Sequence, residues 1–259
     1  MIGNILNFGL YLAFGLSPSI IWLFVYLKKD PHPESKQMIV RVFFLGILSA
    51  VLAAAAQVAF SEGAEYFGLE NSSWAVPAAR FFAYNFFLIA LTEEFFKYFV
   101  VKAGALRHTQ FDEPVDVMIY MVTSALGFAA LENLLYILPY LLPDEGMTLG
   151  QAAAISIYRF LGANLLHTFA SAIIGFFMAV SFCLGKRKLL LAGLGIILAS
   201  CLHGLFNVSI IGIEESLYAN NRFLLLISSA ALVAILGLMA FFVSLGFKRL
   251  KQMASICKL

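Results

Sequence analysis

Leu91-Thr92-Glu93-Glu94-Phe95-Phe96-Lys97-Tyr98 sets two adjacent carboxylates and a lysine inside a run, 81–101, that is otherwise mostly apolar. The run is long enough to cross a bilayer, for which about 20 apolar residues suffice. An isolated charge at the centre of such a helix costs roughly 2.5–3.5 kcal/mol on insertion scales, and intramembrane charges usually face a bundle interior or a wet cavity. The stretch therefore marks a helix whose charged edge is turned inward. On that helix Glu93 and Lys97 are four apart and Glu94 and Lys97 three apart, so the lysine can pair with one carboxylate. The other needs a further reason to be there.

Of the 259 residues 62% are hydrophobic and 12% charged, with a mean hydropathy of +0.91. Such a balance excludes a soluble globular chain and implies an all-α, polytopic bundle embedded in a lipid bilayer. Candidate spans lie near 5–27, 38–60, 79–101, 115–140, 152–184, 189–212 and 223–246. The fifth is too long for one perpendicular helix, so it tilts, starts with an interfacial turn, or breaks at Gly162. The first lacks a basic leader and reads as a retained span rather than a signal peptide. With short loops and no repeat, 1–259 is expected to be a single membrane domain.

Short cytoplasmic loops carry the lysine and arginine excess. Lys28, Lys29, Lys36 and Arg41 follow span 1, Lys102 and Arg107 follow span 3, Lys186, Arg187 and Lys188 follow span 5, and Lys248, Arg249, Lys251 and Lys258 fill the tail. Alternate loops hold Glu62, Glu65 and Glu70, then Asp144 and Glu145, then Glu214 and Glu215, with Arg80 and Arg222 as their basic residues. The alternation implies an outside N-terminus and a cytoplasmic C-terminus. The net charge of +2 is the sum of two opposed surfaces and implies no nucleic-acid partner. The segment 61–77, with Trp74, has the aromatic and polar mixture of an interfacial stretch. Cys183, Cys201 and Cys257 form no paired pattern, and no structural disulfide is expected.

Polar groups recur at the centres of spans 3 to 6, whereas spans 1, 2 and 7 carry almost none. Span 4 holds Glu132 and Asn133; span 5 holds Arg159, Asn164, His167 and Ser171, the last three on one face; span 6 holds His203 and Asn207, four apart. At about 1.5 Å per residue, Glu93, Glu132, His167 and His203 each lie roughly 20–25 Å from the end at which their helix enters. In a core about 30 Å thick with alternating helix directions, these side chains share one level. Three carboxylates against Lys97 and Arg159 leave a negative surplus. Arg159 lies nearer the outer end of its span, where it pairs or reaches toward the headgroups.

Two chemistries suit this set. A carboxylate can act as general base on water and return the proton to a leaving amine, while His and Asn donors stabilise the oxyanion formed at a peptide carbonyl. Alternatively His167, His203 and Glu132 bind Zn(II) with an open position, and Glu93 or Glu94 acts on the bound water. The compact H-E-x-x-H signature is absent, which favours direct glutamate catalysis from spacing alone. Intramembrane Glu and His chains also serve as proton relays in transporters, and a non-catalytic scaffold is a third class.

The order Glu93-Glu94-x-x-Lys97, Phe128-x-x-x-Glu132-Asn133, the His167 helix and His203-Gly204-x-x-Asn207 resembles the PrsW family of bacterial intramembrane proteases. That family is similar to the CAAX-prenyl endoprotease and bacteriocin-processing group, and more distantly to the scaffold subunit of gamma-secretase. The resemblance covers about 81–207, within a core of about 79–212. It implies a multi-pass protein of the bacterial cell membrane that cuts a single-span, membrane-anchored anti-sigma factor at an extracytoplasmic site. It also implies catalytic roles for Glu93, Glu94, Glu132, His167, His203 and Asn207, supported by Lys97, Asn133 and Asn164. Within it Glu132 stands where the CAAX relatives carry a histidine, and Asn207 would polarise the scissile carbonyl or orient His203.

Overall fold

The computed structural model describes residues 2–29, 32–66, 81–82, 84–108, 111–137, 148–184 and 188–253. Among them there is no strand. The helices are α1 (Ile2–Leu27), α2 (Lys36–Tyr66), a π-helical segment (Tyr84–Leu91) running into α3 (Thr92–Gly104), α4 (Pro114–Ile137), α5 (Leu149–Leu161), α6 (Ala163–Leu184), α7 (Lys188–Tyr218) and α8 (Arg222–Met253). Counting the π segment with α3, and α5 with α6, gives seven helical rods. Among the described residues six are long and apolar enough to cross a membrane. The third rod carries Glu93, Glu94, Lys97 and Lys102.

The overlong fifth run does break at Gly162, whose N–H still bonds Tyr158 O at 2.9 Å while its backbone leaves the helical region. A capping box starts α5: Thr148 N donates to Gln151 Oε1 at 2.9 Å, and Thr148 Oγ1 accepts from Gln151 N. Pro18, inside α1, lacks the N–H that would have bonded the Phe14 carbonyl. The Ser156 hydroxyl of α5 donates to that carbonyl at 2.7 Å, repairing the loss and fastening α5 to α1.

Helix α4 is the centre of the bundle, packed most extensively on α6 and α2 and then on α1. Its contact with α2 is backbone to backbone. A Cβ added at Gly46 would strike the Ser124 carbonyl, and one added at Gly127 would strike the Phe43 carbonyl. In lipid, helices associate by such close packing rather than by hydrophobic expulsion. These contacts pin α4, and with it the turn that carries Glu132 and Asn133.

Of the expected interfacial stretch, 61–66 continue α2, and 67–77 lie outside the described residues, as do Arg80, Asp144, Glu145, Lys186, Arg187, Cys257 and Lys258. Cys183 is disulfide-bonded, contrary to the expectation from spacing, which reads only near neighbours; Cys201 is free.

Candidate active site

Four rods bring the polar groups to one place. Helix α3 supplies Glu93, Glu94 and Lys97 from the turns directly after the π segment; α4 supplies Glu132 and Asn133; α6 supplies Asn164, His167 and Ser171; α7 supplies His203. Glu94, Lys97 and Asn164 are fully enclosed, and Glu93, His167 and His203 nearly so. The most accessible member is Glu132, with 27% of its side chain exposed.

The pairing divides the carboxylates. Lys97 Nζ lies 2.7 Å from Glu94 Oε1, and Glu94 also takes His203 Nδ1 at 2.9 Å and the Ser171 hydroxyl at 3.3 Å. Glu132 Oε2 lies 2.8 Å from both Arg159 Nη2 and His167 Nε2. Arg159 Nε donates to Asn133 Oδ1, and the Asn133 and Asn164 amides meet at 3.0 Å. Glu93 is left over. Among the described residues its Oε1 receives only a 3.5 Å bond from Gln57 Nε2, and its Oε2 is buried without a hydrogen bond. The negative surplus foreseen from the sequence therefore settles on Glu93.

The imidazoles are oriented by these pairs. A carboxylate can only accept, so His203 carries its proton on Nδ1 and His167 on Nε2. The remaining nitrogens point inward as acceptors: His203 Nε2 lies 3.9 Å and His167 Nδ1 4.0 Å from Glu93 Oε2. Lys97 Nζ stands at the same spot, 2.8 Å from His167 Nδ1 and 3.9 Å from Glu93 Oε2, with the Phe128 ring 4.2 Å beneath it. The centre is thus a cluster of acceptors beside one ammonium.

Residues 34–245 match the profile of the PrsW family intramembrane metalloproteases. The chain belongs to the PrsW family. It is 31% identical over 220 residues to Protease PrsW of Geobacillus kaustophilus, covering 84% of this chain and 87% of that protein. It is 29% identical over 225 residues to Protease PrsW of Oceanobacillus iheyensis, covering 85% and 92%. With Protease PrsW of Bacillus subtilis it shares 27% identity over 206 residues, covering 79% and 84%. No solved structure matches the chain. The protein is a multi-pass bacterial membrane peptidase, and the transporter and scaffold alternatives fall away.

The family's description implies a metal, and the donor set here suits one. The ligand atoms of Glu93, His167 and His203 lie within 4.8 Å of one another. Each imidazole is backed by a carboxylate on its far nitrogen, the arrangement that fixes metal-ligating histidines. Glu93 Oε2 is a buried acceptor with nothing to accept. The opposing feature is Lys97, whose ammonium competes for His167 Nδ1. This set differs from the expected His167, His203 and Glu132, because Glu132 binds the outward nitrogen of His167 and pairs with Arg159.

Of the other expected residues, Asn207 lies one turn beyond His203, half-buried, with no side-chain hydrogen bond among the described residues. Arg159 pairs rather than reaching for headgroups. Two contributors came from spans expected to carry almost no polar groups: Gln57 of α2 on Glu93, and Ser19 of α1, whose hydroxyl lies 2.8 Å from the Asn164 amide. Their signal was a polar side chain at the depth of the cluster.

Proposed function

We propose that this chain hydrolyses a peptide bond in a single-span membrane protein, with Glu93 taking the proton of the attacking water. The observation that carries this reading is Glu93 Oε2, buried without a hydrogen bond and faced by an acceptor nitrogen from each of two imidazoles. Water placed there gives its protons to Glu93 Oε2 and His203 Nε2, His167 Nδ1 being held by Lys97 Nζ, and keeps an oxygen lone pair for a carbonyl carbon. As the C–O bond forms, a proton passes to Glu93 Oε2. When the C–N bond breaks, that proton goes to the leaving nitrogen, giving an acid and an amine. Lys97 Nζ supplies positive charge beside the developing oxyanion. Glu94, fully occupied by Lys97, His203 and Ser171, orients these partners rather than serving as base.

The inward-facing acceptors also favour a second reading, in which Glu93 Oε2, His167 Nδ1 and His203 Nε2 hold a divalent ion such as zinc. When bound, such an ion would polarise water and the scissile carbonyl. Glu132 and Glu94 then keep the ring tautomers, and Lys97 must leave His167 Nδ1.

By the family resemblance, the substrate is an anti-sigma factor cut on the extracytoplasmic side. The loop-charge alternation supports an outside N-terminus and a cytoplasmic C-terminus. In that topology Glu132 and Arg159, at the most accessible edge of the site, face the outer leaflet. The test is to reconstitute the purified chain with a single-span anti-sigma factor, map the cut by mass spectrometry, measure bound zinc, and repeat with a chelator. Cleavage that survives chelation of a zinc-free protein supports Glu93 alone. Cleavage lost with one equivalent of zinc, and restored by adding it back, supports the ion. Absence of any cut overturns the substrate reading.

A further inference from the structure

We propose that the cleft between the π segment and α7 is the berth of the substrate's transmembrane segment; this rests on the proposed function. The cleft, about 460 Å³, is walled by Phe82, Phe86 and Phe87 on one side and by Ile197 and Ser200 on the other. Phe87 and Ile197 are well exposed, so the opening faces the lipid.

Three observations select a polypeptide over an acyl chain. The first is continuity with the cluster. Phe86 fills the space beside Gly204, where a Cβ would come within 2.7 Å of the ring, and Gly204 directly follows His203. The cleft wall is therefore one residue from an imidazole of the site.

The second is Ser200. It is 5% exposed, it lines the cleft, and its hydroxyl has no hydrogen-bond partner. On the same helix Ser209 donates to Leu205 O at 2.8 Å and Ser216 to Ile213 O at 2.6 Å. A hydroxyl left unmatched in hydrocarbon is costly. An acyl chain offers it nothing, whereas the backbone of a helix loosening toward a scissile bond offers the carbonyls it lacks.

The third is the π segment itself. Its wide turn ends at Leu91, two residues before Glu93, and there Thr92 Oγ1 reaches back five residues to Phe87 O at 3.4 Å. Such wide turns are rare and appear frequently at functional sites. Here one element lines the cleft and also sets the phase of Glu93 and Glu94.

The test uses the full-length Glu93→Gln chain, co-expressed with a single-span anti-sigma factor, with a photo-crosslinking residue at Ile197 or, as control, at lipid-facing Phe241 of α8. The expected result is a crosslink from position 197 to the anti-sigma factor's membrane segment and none from 241. In the otherwise wild-type chain, Ile197→Trp fills the cleft without touching the cluster, and it should slow cleavage at least tenfold, on the order of 1.4 kcal/mol in the barrier. Ser200→Ala should raise KM about fivefold with kcat unchanged. A wild-type chain that cuts the protein while position 197 labels only phospholipid overturns the berth and leaves the function standing. A crosslink from 197 without cleavage overturns the function and leaves the berth. Neither crosslink nor cleavage overturns both.

Discussion

Helices α4 and α8 both read as membrane spans, yet their settings are opposite. Of the spanning window of α4, 94% is buried inside the protein, against 11% for α8, and the buried helix is the less hydrophobic of the two. In water the order would be reversed. In lipid, the outer helix must present side chains such as Phe223, Val233, Leu238 and Phe241 to hydrocarbon. The enclosed one is free to carry Asp116, Thr123, Ser124 and Asn133 wherever partners or tight packing accept them. Polarity along a span thus reports nearness to the centre of the bundle, and the reactive cluster lies where that signal is strongest.

If the contrast is right, interior changes are severe and peripheral ones silent. Glu94→Gln is the harshest on stability, since it removes the carboxylate 2.7 Å from the enclosed Lys97. Cleavage should fall about a hundredfold as His203 loses its hold, and removing one member of a buried pair should cost on the order of 3–5 kcal/mol, read as a lower unfolding temperature in detergent. Next is Gly127→Ala, which drives a methyl into the Phe43 carbonyl. It should destabilise the α2–α4 contact by about 3 kcal/mol, measured by denaturant unfolding. Glu132→Gln keeps the packing but weakens the hold on His167 Nε2, so cleavage should drop about 10- to 100-fold with the unfolding temperature nearly unchanged. Phe241→Ala on α8 should alter stability by less than about 0.5 kcal/mol and leave the rate alone. A Phe241→Ala chain as damaged as the Gly127→Ala chain would break the contrast.

Much of the fold was legible because a lipid solvent writes its demands as uninterrupted apolar runs. Excess length left tilt, an interfacial turn or a break at Gly162 open, and depth counting alone brought Glu93, Glu132, His167 and His203 to one level. What composition could not carry was pairing. Whether Glu93 or Glu94 is left over depends on which oxygen Lys97 and His203 reach, and whether Glu93 or Glu132 joins the two imidazoles depends on which ring nitrogen faces inward. Gln57 and Ser19 were missed because one amide or hydroxyl in an apolar helix usually serves only its own backbone. The π segment has no pattern of its own, since its register appears only once α7 packs against it.

Glu93, whose Oε2 is buried without a hydrogen bond, is the carboxylate at which the proposed reaction takes place. The most direct measurement compares Glu93→Gln with the wild-type chain in proteoliposomes, at equal folded protein, by cleavage of a single-span anti-sigma factor. Because Glu93 Oε2 holds no hydrogen bond, the variant should unfold at or above the temperature of the wild type and make no detectable cut. Cleavage by the Gln variant at the wild-type rate would contradict it.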